Sequence, residues 1–317
     1  MQKICIVFDR LRAEEKLLQA KASEMGYETS MIDAKTTRFD TDSKRSENDF
    51  GDVVLERCIS YYRGLNFTAC LEFLDIPVIN SFDVANTCGN KMITSMLLKK
   101  HNIPTPKTYF SFSAESAMEH FEKIGYPLVI KPIIGSWGRS VMPIKDKDTA
   151  DAIIENRQVT DGPQDRIYYL QEMIDRPPRD IRVITVGDQT IAAMYRKSSG
   201  GFKTNIALGA EPEICEITNE IEDLCVKASK AVGGGILGID LMEDKSRGLV
   251  VHEVNNTVEF KGLVKVAEKD IAKEMIDFAV TILGNSSINV KLCCITNRIV
   301  NESRNCRCIG ICWRRSS

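Results

Sequence analysis

The chain contains the segment Gly238-Ile-Asp-Leu-Met-Glu243, a polar connection that ends at Gly248, and then Leu249-Val-Val-His-Glu-Val-Asn255. Two apolar runs around a short polar connection are typical of a β-hairpin. In such a hairpin Asp240 lies opposite Glu253, and strand alternation places Glu253 and Asn255 on one face. Three oxygen ligands then converge and suit a divalent cation such as Mg²⁺. The alternative is that the carboxylates are solvent-facing residues of a half-exposed sheet.

Length and composition indicate a globular protein of two or three domains. The chain has 317 residues, of which 43% are hydrophobic, so it can bury a sizeable core. Its apolar runs fall short of the roughly 18 residues that cross a bilayer. The first residues, Met1 to Phe8, lead directly into a strand pattern rather than a signal peptide. We therefore expect a soluble, cytoplasmic protein with no membrane partner.

The charge distribution separates the body of the chain from its end. Residues 1–284 carry 36 basic and 43 acidic side chains, which disfavours a nucleic-acid partner. Residues 285–317 carry six Lys or Arg against Glu302, and five of the eleven cysteines. These five lack the paired spacing of a structural zinc site, so we expect a disordered or loosely attached extension, with zinc binding as the alternative.

Hydrophobic periodicity predicts alternating strands and helices in the first part of the chain. The predicted elements are strand Lys3–Phe8, helix Ala13–Met25, strand Val53–Glu56, helix Tyr61–Leu74, strand Ile76–Ile79 and helix Phe82–His101. Such alternation indicates a parallel, Rossmann-like α/β unit. No Gly-x-Gly-x-x-Gly follows the first strand, so we do not predict a dinucleotide site.

Two further units are predicted after the proline-containing linker 102–106. The second comprises strand Tyr109–Phe112, helix Ser113–Ile124, strand Leu128–Pro132, a strand around Val141–Pro143 and helix Asp148–Asn156. The third comprises strands Tyr168–Ile174, Ile181–Val186 and Ile191–Arg196, the hairpin, and a closing helix Glu268–Leu283.

Basic residues next to apolar runs indicate an anion site. Lys131 directly follows the apolar run 128–130, where a core strand tolerates a lysine only if its ammonium meets an anion. The loop Gly135-Ser-Trp-Gly-Arg139 comes next, and its glycines allow backbone N–H groups to approach phosphate oxygens closely. No Gly-Lys-Ser/Thr follows, so the loop is not a Walker A motif. The alternative is a surface hairpin turn.

Further polar residues recur between the strands. Gln171 and Glu172 lie in an apolar strand, where the backbone and Glu172 suit hydrogen bonding to an adenine or a ribose. Donors suited to phosphate or an oxyanion follow at Arg179, Arg182, Arg196 and Asn205. Each of these residues alone is compatible with a solvated surface position. The interpretation therefore depends on the order in which they occur along the chain.

In that order, the chain resembles the RimK-like branch of the ATP-grasp carboxylate–amine ligases over residues 1 to about 284. The matching motifs are Asn90-Lys91, Val129-Ile-Lys-Pro132, Gly135–Arg139, Gln171-Glu172, Arg179-Asp-Ile-Arg182, Tyr195-Arg196, Thr204-Asn205, Asp240 and Glu253-Val-Asn255. The resemblance implies an α/β (α+β) ATP-grasp fold. A Rossmann-like pre-ATP-grasp domain would span residues 1–90, a central lid domain 91–170, a C-terminal catalytic domain 171–284 and the extension 285–317.

Within this branch the chain resembles the LysX type, with the ArgX type as its sister. After Asn255 the chain continues Asn256-Thr257, and an Asn-Thr or Asn-Ser pair marks the LysX type where the ArgX type has Gly-Phe. The resemblance implies an ATP-dependent, ADP-forming ligase that joins α-aminoadipate to the C-terminal glutamate of the small acidic carrier protein LysW. The alternatives are glutamate–LysW ligation, another RimK-like glutamate ligase, and an ATP-binding regulatory protein without turnover.

The resemblance also implies roles for individual residues. Mg²⁺, with two ions expected, would bind Asp240, Glu253 and Asn255, and Asn256 and Thr257 would line the amino-acid pocket. Catalysis would depend on Lys131, Arg196 and Asn205. ATP would contact these three and also Lys91, Gly135, Ser136, Trp137, Gly138, Arg139, Ser140, Val141, Gln171, Glu172 and Arg182. The resemblance further implies a homo-oligomer.

Strand alternation points His252 away from Glu253, so no catalytic role is predicted for this histidine.

Overall fold

A computed structural model describes residues 1–42, 49–159, 162–197 and 212–283. Asn205 and the extension 285–317, for which predictions were made, lie outside these ranges. None of the helices among the described residues is both long enough and apolar enough to span a membrane.

The N-terminal unit is a parallel sheet with strand order β2-β1-β3-β4. Its elements are β1 (Lys3–Phe8), α1 (Ala13–Glu24), β2 (Glu28–Asp33), β3 (Val53–Glu56), α2 (Tyr61–Phe73) and β4 (Val78–Ile79). Strands β1 and β3 are the central strands of the sheet, and their side chains are nearly all buried. The predicted parallel α/β unit is confirmed, although β2 was not predicted.

Two helices, α3 (Phe82–Gly89) and α4 (Lys91–Lys100), replace the single helix predicted over Phe82–His101. Asn90 separates them. Its backbone is extended, and its side chain accepts hydrogen bonds from Met92 N at 3.0 Å and Ile93 N at 3.3 Å. An N-cap residue has a non-helical backbone, so the helix before Asn90 has to end there. The preference of asparagine for N-cap positions was therefore the sequence signal for the break between α3 and α4.

The central unit is an antiparallel sheet with strand order β5-β8-β6-β7. Its elements are β5 (Thr108–Ser111), α5 (Ala114–Ile124), β6 (Leu128–Lys131), β7 (Met142–Ile144), α6 (Lys147–Val159) and β8 (Tyr168–Glu172). Helix α5 begins and ends where predicted, because Ser113 Oγ accepts from Ser116 N at 3.2 Å and Gly125 adopts φ +83°. Strand β8 crosses the domain boundary predicted between residues 170 and 171.

The C-terminal unit is an antiparallel sheet with strand order β11-β10-β9-β12-β13. Its elements are β9 (Arg179–Val186), β10 (Gln189–Lys197), β11 (Pro212–Ile214), α7 (Asn219–Val232), β12 (Ile236–Asp244), β13 (Gly248–Asn255) and α8 (271–283). The hairpin β12–β13 is confirmed, and Asp240 pairs directly with Glu253 as predicted. Helix α7 and strand β11 were not predicted.

One apolar core joins the N-terminal and C-terminal units. Ile4, Ile6 and Leu18 of the first unit belong to the same buried cluster as Met194 and Phe260 of the last. The opposite face of the C-terminal sheet packs against residues of α3, α4 and α7. The central unit has its own core around Phe121 and Ile130. The N-terminal and C-terminal units are therefore packed firmly against each other, whereas the central unit has a separate core.

Candidate active site

A cleft of ≈ 220 Å³ lies where the three units meet. Most of the predicted site residues line it, namely Lys91, Lys131, Gly135, Ser136, Trp137, Gly138, Arg139, Val141, Gln171, Glu172, Arg182, Arg196, Asp240, Glu253, Asn255 and Thr257. The fold thus brings together residues that are up to 166 positions apart in the sequence.

Three predicted residues are not part of this lining as described. Ser140 lies in the glycine-rich connection with φ +54° but does not face the cleft. The Asn256 side chain faces Asn80 of the N-terminal unit, with Asn80 Nδ2 donating to Asn256 Oδ1 at 2.9 Å. The placement of Asn256 in the pocket lining is thereby corrected, because that contact turns its side chain away from the cleft. Asn205 lies outside the described residues.

A row of charged side chains crosses four adjacent strands of the C-terminal sheet at the cleft. Arg196 on β10 pairs with Asp180 on β9, and Asp240 on β12 is opposite both Arg182 on β9 and Glu253 on β13. Residues opposite each other across antiparallel strands project from the same face, so the row follows from the register.

The row is held by buried, charge-assisted hydrogen bonds. Arg196 donates from Nε and Nη2 to the two Asp180 oxygens at 2.7 and 2.8 Å, and its Nη2 lies 3.1 Å from Asp240 Oδ2. Arg182 also binds both oxygens of Asp240, through Nε and through Nη2 at 3.0 Å. Burial alone would raise the pKa of Asp240, but the two guanidinium groups outweigh it and hold the pKa below its usual range. Asp240 is therefore a carboxylate in a cationic surrounding.

Lys131 is a buried lysine of the cleft floor, with 4% of its surface exposed. Its ammonium donates to Gln171 Oε1 and lies 3.2 Å from His252 Nδ1, and no ion pair within 4.0 Å is found for it among the described residues. Burial lowers the pKa of Lys131 to about 7, an effect that the Glu253 charge only partly offsets and that Lys91 and Arg176 reinforce. An anion beside Lys131 would restore the charge that burial disfavours.

His252 lies in the cleft, contrary to the orientation predicted from strand alternation. Asp240 pairs with Glu253, but the next residue, Leu241, pairs with Val251, so His252 is the extra residue of a β-bulge. The bulge turns His252 toward the cleft together with Glu253. Burial first, and then the nearby cations Lys131, Arg176, Arg196 and Lys91, lower the pKa of His252 well below its usual value, so the imidazole is neutral at pH 7.

Lys91 connects helix α4 to the glycine-rich loop. Its ammonium donates to Gly135 O at 2.6 Å and forms an ion pair with Glu253 at 2.9 Å. Gly138 and Trp137 both adopt left-handed conformations, with φ +65° and +57°. The loop is therefore held at its base by the same lysine that was predicted to contact phosphate.

The side chains of Gln171 and Glu172, on the strand that was predicted to contact a base, form hydrogen bonds with other protein groups. Gln171 is 2% exposed, accepts from Lys131, and donates to Tyr169 Oη at 3.0 Å. Glu172 accepts from Lys107 N at 2.7 Å and from Arg247 Nη2 at 2.6 Å. Gln171 thus orients Lys131, a role that the sequence did not indicate.

The oxygen donors of the cleft fit a hard divalent cation. Within the described ranges, no group of three or more His, Cys, Asp or Glu side chains is arranged around a metal position. A cation here would therefore rest on the carboxylates of Asp240 and Glu253, on the amide oxygen of Asn255, and on substrate oxygens. Mg²⁺ fits such a set, because it accepts one or two carboxylates and keeps its remaining positions for water and phosphate.

Several cleft residues were not predicted. They are Arg12, Ile59, Val129, Pro132, Ile174, Arg176, Asp180, Met194, Met242, His252 and Glu259. Arg12 and Ile59 come from loops after β1 and β3, at the carboxyl edge of the N-terminal parallel sheet. Ligands bind outside that edge in open α/β sheets, and this rule was the available signal.

Family models match nearly the whole of the described chain. The model for the RimK-like ATP-grasp domain matches residues 88–279, and the model for the LysX preATP-grasp domain matches residues 4–87. The chain belongs to the RimK-like ATP-grasp family. The predicted ATP-grasp fold and the predicted class of ADP-forming ligase are confirmed, and ATP-grasp ligases use ATP, generally with Mg²⁺.

Curated relatives from this family include two kinds of LysW ligase. The α-aminoadipate–LysW ligase LysX of Saccharolobus solfataricus is 37% identical over 268 residues, which cover 84% of this chain and 97% of the relative. The glutamate–LysW ligase ArgX of Sulfolobus acidocaldarius is 34% identical over 280 residues, which cover 87% and 97%.

Solved structures of ATP-grasp ligases share the fold. A RimK domain ATP-grasp protein from Sphaerobacter thermophilus superposes with a TM-score of 0.73 at 24% identity, covering 87% of this chain and 99% of that protein. The D-alanine–D-alanine ligase of Bacillus anthracis complexed with ATP gives a TM-score of 0.65 at 17% identity, covering 90% and 98%.

Proposed function

We propose that this RimK-like ATP-grasp ligase joins the α-amino group of α-aminoadipate to the side-chain carboxylate of the C-terminal glutamate of a LysW carrier protein. The observation that carries the proposal is its 37% identity to an α-aminoadipate–LysW ligase over 97% of that relative. The pair Asn256-Thr257 directly after Asn255, typical of the LysX type, supports the same substrate.

The reaction needs a leaving group, because an unactivated carboxylate would have to expel oxide. Transfer of the ATP γ-phosphate to the carrier carboxylate gives an acyl phosphate, and attack by the amine then forms the amide and releases phosphate. In this proposal Lys131 binds a phosphate oxygen, which is supported by the burial of its ammonium and by the contacts with Gln171 and His252 that orient it. Lys91, at the base of the glycine-rich loop, supplies a second ammonium.

Mg²⁺ bound by Asp240, Glu253 and Asn255 would supply neutralisation of phosphate charge. The residues of the chain prepare that position. Arg182 and Arg196 keep Asp240 ionised, and the register of β12 and β13 holds Glu253 beside it. Lys91 balances the charge of Glu253 through an ion pair at 2.9 Å.

Negative charge that develops on the acyl oxygen during amine attack requires fixed hydrogen-bond donors. Arg196 is suited to this role because its Nε and Nη2 groups are held by Asp180 and Asp240, so it needs no reorganisation during the reaction. The glycine-rich loop contributes by covering the cleft, which keeps water away from the acyl phosphate.

The test is ADP release measured with purified protein, ATP, Mg²⁺, LysW and one amino acid at a time. We expect ADP only when both LysW and an amino acid are present, with kcat/KM higher for α-aminoadipate than for glutamate. A LysW variant lacking its C-terminal glutamate is the matched control and should give no ADP. ADP release with no dependence on LysW would contradict the proposal.

Glutamate is the second candidate substrate, since the ArgX relatives match at 34% identity over a similar length. α-Aminoadipate is longer than glutamate by one methylene, which is worth about 1–3 kcal/mol in a pocket, or roughly 10- to 200-fold. Both amino acids should therefore react, and the ratio of their kcat/KM values decides which of the two is the preferred substrate.

A further inference from the structure

Arg12 extends from the N-terminal unit into the cleft. It is the N-cap residue of α1, and its side chain is held from behind by Glu15, which is completely buried. Arg12 donates to Glu15 from Nε at 3.1 Å and from Nη2 at 2.7 Å. The Nε–Nη2 edge of the guanidinium is thereby fixed, and Nη1 is left to face the cleft contents.

The Nη1 group of Arg12 meets a carboxylate. It donates to Glu259 Oε1 at 3.3 Å, and Trp137 Nε1 of the glycine-rich loop donates to the same oxygen at 3.3 Å. Arg12 belongs to the N-terminal unit, Trp137 to the central unit and Glu259 to the segment after β13, and all three line the cleft. The Glu259 side chain is 47% exposed, and within the described part of the chain its side-chain hydrogen bonds are these two long ones.

Three other basic residues of the cleft are already engaged by acidic partners. Lys91 pairs with Glu253, and Arg182 and Arg196 pair with Asp240 and Asp180. An amino dicarboxylic acid brings two carboxylates of its own, in addition to the phosphates of ATP. These carboxylates require donors that the phosphate-binding residues do not supply.

We propose that Arg12 Nη1 and Trp137 Nε1 form a subsite for a carboxylate of the amino-acid substrate, and that Glu259 occupies this subsite until the substrate displaces it. The geometry is that of an ordinary carboxylate bound by a preorganised guanidinium, with Glu259 in the place of the ligand. The proposal rests on the proposed function for the identity of the ligand as a dicarboxylic amino acid. Because Trp137 is on the glycine-rich loop, amino-acid binding would also hold that loop closed.

Glu259→Gln gives the sharpest test, because the proposal predicts improved binding. The amide competes less well for Arg12 than the carboxylate, so the KM for α-aminoadipate should fall by about 2- to 5-fold, as expected on losing a partly exposed ion pair. Arg12→Met should raise this KM by about 10- to 100-fold through loss of a charge-assisted hydrogen bond. Trp137→Phe, which keeps the ring and removes the donor, should also raise it. The KM for ATP should stay unchanged in Glu259→Gln and Arg12→Met.

Arg10→Met is the matched control, because Arg10 is exposed in the same loop and does not line the cleft. It should leave both KM values unchanged. Glu259 is exposed enough that its substitution preserves the fold, so Glu259→Gln remains informative even if Arg12→Met unfolds. Far-ultraviolet circular dichroism checks the fold of each variant.

A higher KM for α-aminoadipate in Glu259→Gln would overturn the proposal, since it would mean that Glu259 binds the substrate amine. Unchanged values in both folded variants Glu259→Gln and Arg12→Met would overturn it as well. If the parent protein releases no ADP with either amino acid, the proposed function itself has failed. Inhibition by 2-aminohexanoate, which lacks the side-chain carboxylate, identifies which carboxylate binds. Arg12→Met weakens this inhibition only if Arg12 holds the α-carboxylate.

Discussion

The buried side chain of Asn80 links the N-terminal unit to Asn256, the residue between Asn255 and Thr257. Asn80 Nδ2 donates to Asn256 O at 3.0 Å, to Asn256 Oδ1 at 2.9 Å and to Ile236 O at 2.8 Å, while its Oδ1 accepts from Ile236 N at 2.7 Å. A single amide therefore fixes the start of β12 and the end of β13 relative to the first sheet.

This network predicts that substituting Asn80 lowers the free energy of unfolding more than substituting Asn256. Asn80→Ala leaves buried backbone groups of Ile236 and Asn256 without partners, which should destabilise the protein by about 1–3 kcal/mol. Asn256→Ala removes only one of three acceptors that share the two hydrogens of Asn80 Nδ2, so its cost should stay below about 1 kcal/mol. Urea unfolding measures both, with exposed Asn66→Ala as the control. Equal costs would show that the Asn256 side chain is the essential partner.

Amino-acid preference should depend on Thr257 rather than on Asn256. Thr257 lines the cleft, whereas the Asn256 side chain is directed at Asn80. Thr257→Phe alone should therefore fill the space of the extra methylene and move the ratio of kcat/KM toward glutamate by roughly 10-fold or more. Asn256→Gly alone should leave the ratio close to that of the parent. If Asn256→Gly changed the ratio and Thr257→Phe did not, specificity would depend on the position of the segment after Asn255 rather than on the volume of the Thr257 side chain.

The sequence was sufficient for features that depend on local pattern. The hairpin was predictable because two apolar runs and a glycine-ended turn leave one register in which Asp240 faces Glu253. The sequence also singled out Lys131, because a lysine after a buried strand requires an anion, and the structure places this buried residue in the cleft. Strand β2 was missed because its side chains are only half-buried and its sequence, Glu28-Thr-Ser-Met-Ile-Asp33, is mostly polar.

Features that depend on irregular backbone or on distant contacts were not predictable. His252 was misplaced because alternation assumes an unbroken ladder, and a β-bulge leaves no mark in the residues Val250-Val-His-Glu253. Arg12 and Glu259 meet across 247 positions of sequence, so no local spacing connects them. Asn256 was assigned to the pocket from its position next to Asn255, whereas its partner, Asn80, is 176 residues away.

The two carboxylates predicted to bind Mg²⁺ should differ when each is changed to its amide. Among the described residues Glu253 is paired only with Lys91, and its side chain is 23% exposed, so Glu253→Gln should lower ADP formation by about 100-fold or more without changing the unfolding midpoint. Asp240→Asn should also remove activity, but it leaves Arg182 and Arg196 short of a buried counter-charge and should cost about 3–5 kcal/mol of stability. Activity titrations with Mg²⁺ and thermal unfolding distinguish these outcomes. Near-normal turnover of Glu253→Gln would contradict the metal assignment.

Nucleotide binding should take up a proton at pH 8. Without ligand, burial keeps the pKa of Lys131 at about 7, so its amine is mostly neutral at pH 8 and mostly charged at pH 6. The charged and titratable groups around it are Glu253, Asp240, Lys91, Arg176 and His252, of which the two carboxylates raise the Lys131 pKa and Lys91 and Arg176 lower it. A phosphate beside the ammonium raises this pKa again, so the ligand binds together with a proton.

The sign of the pH dependence follows from this linkage. Affinity should weaken as the pH rises above 7, and proton uptake should approach one per nucleotide at pH 8 because the phosphates of ADP are fully ionised there. Isothermal titration calorimetry of ADP binding in two buffers with different ionisation enthalpies gives the number of protons directly. Lys131→Met should bind more weakly and take up no proton. Proton release at pH 8 in the parent, or undiminished uptake in Lys131→Met, would show that Lys131 does not meet the phosphates.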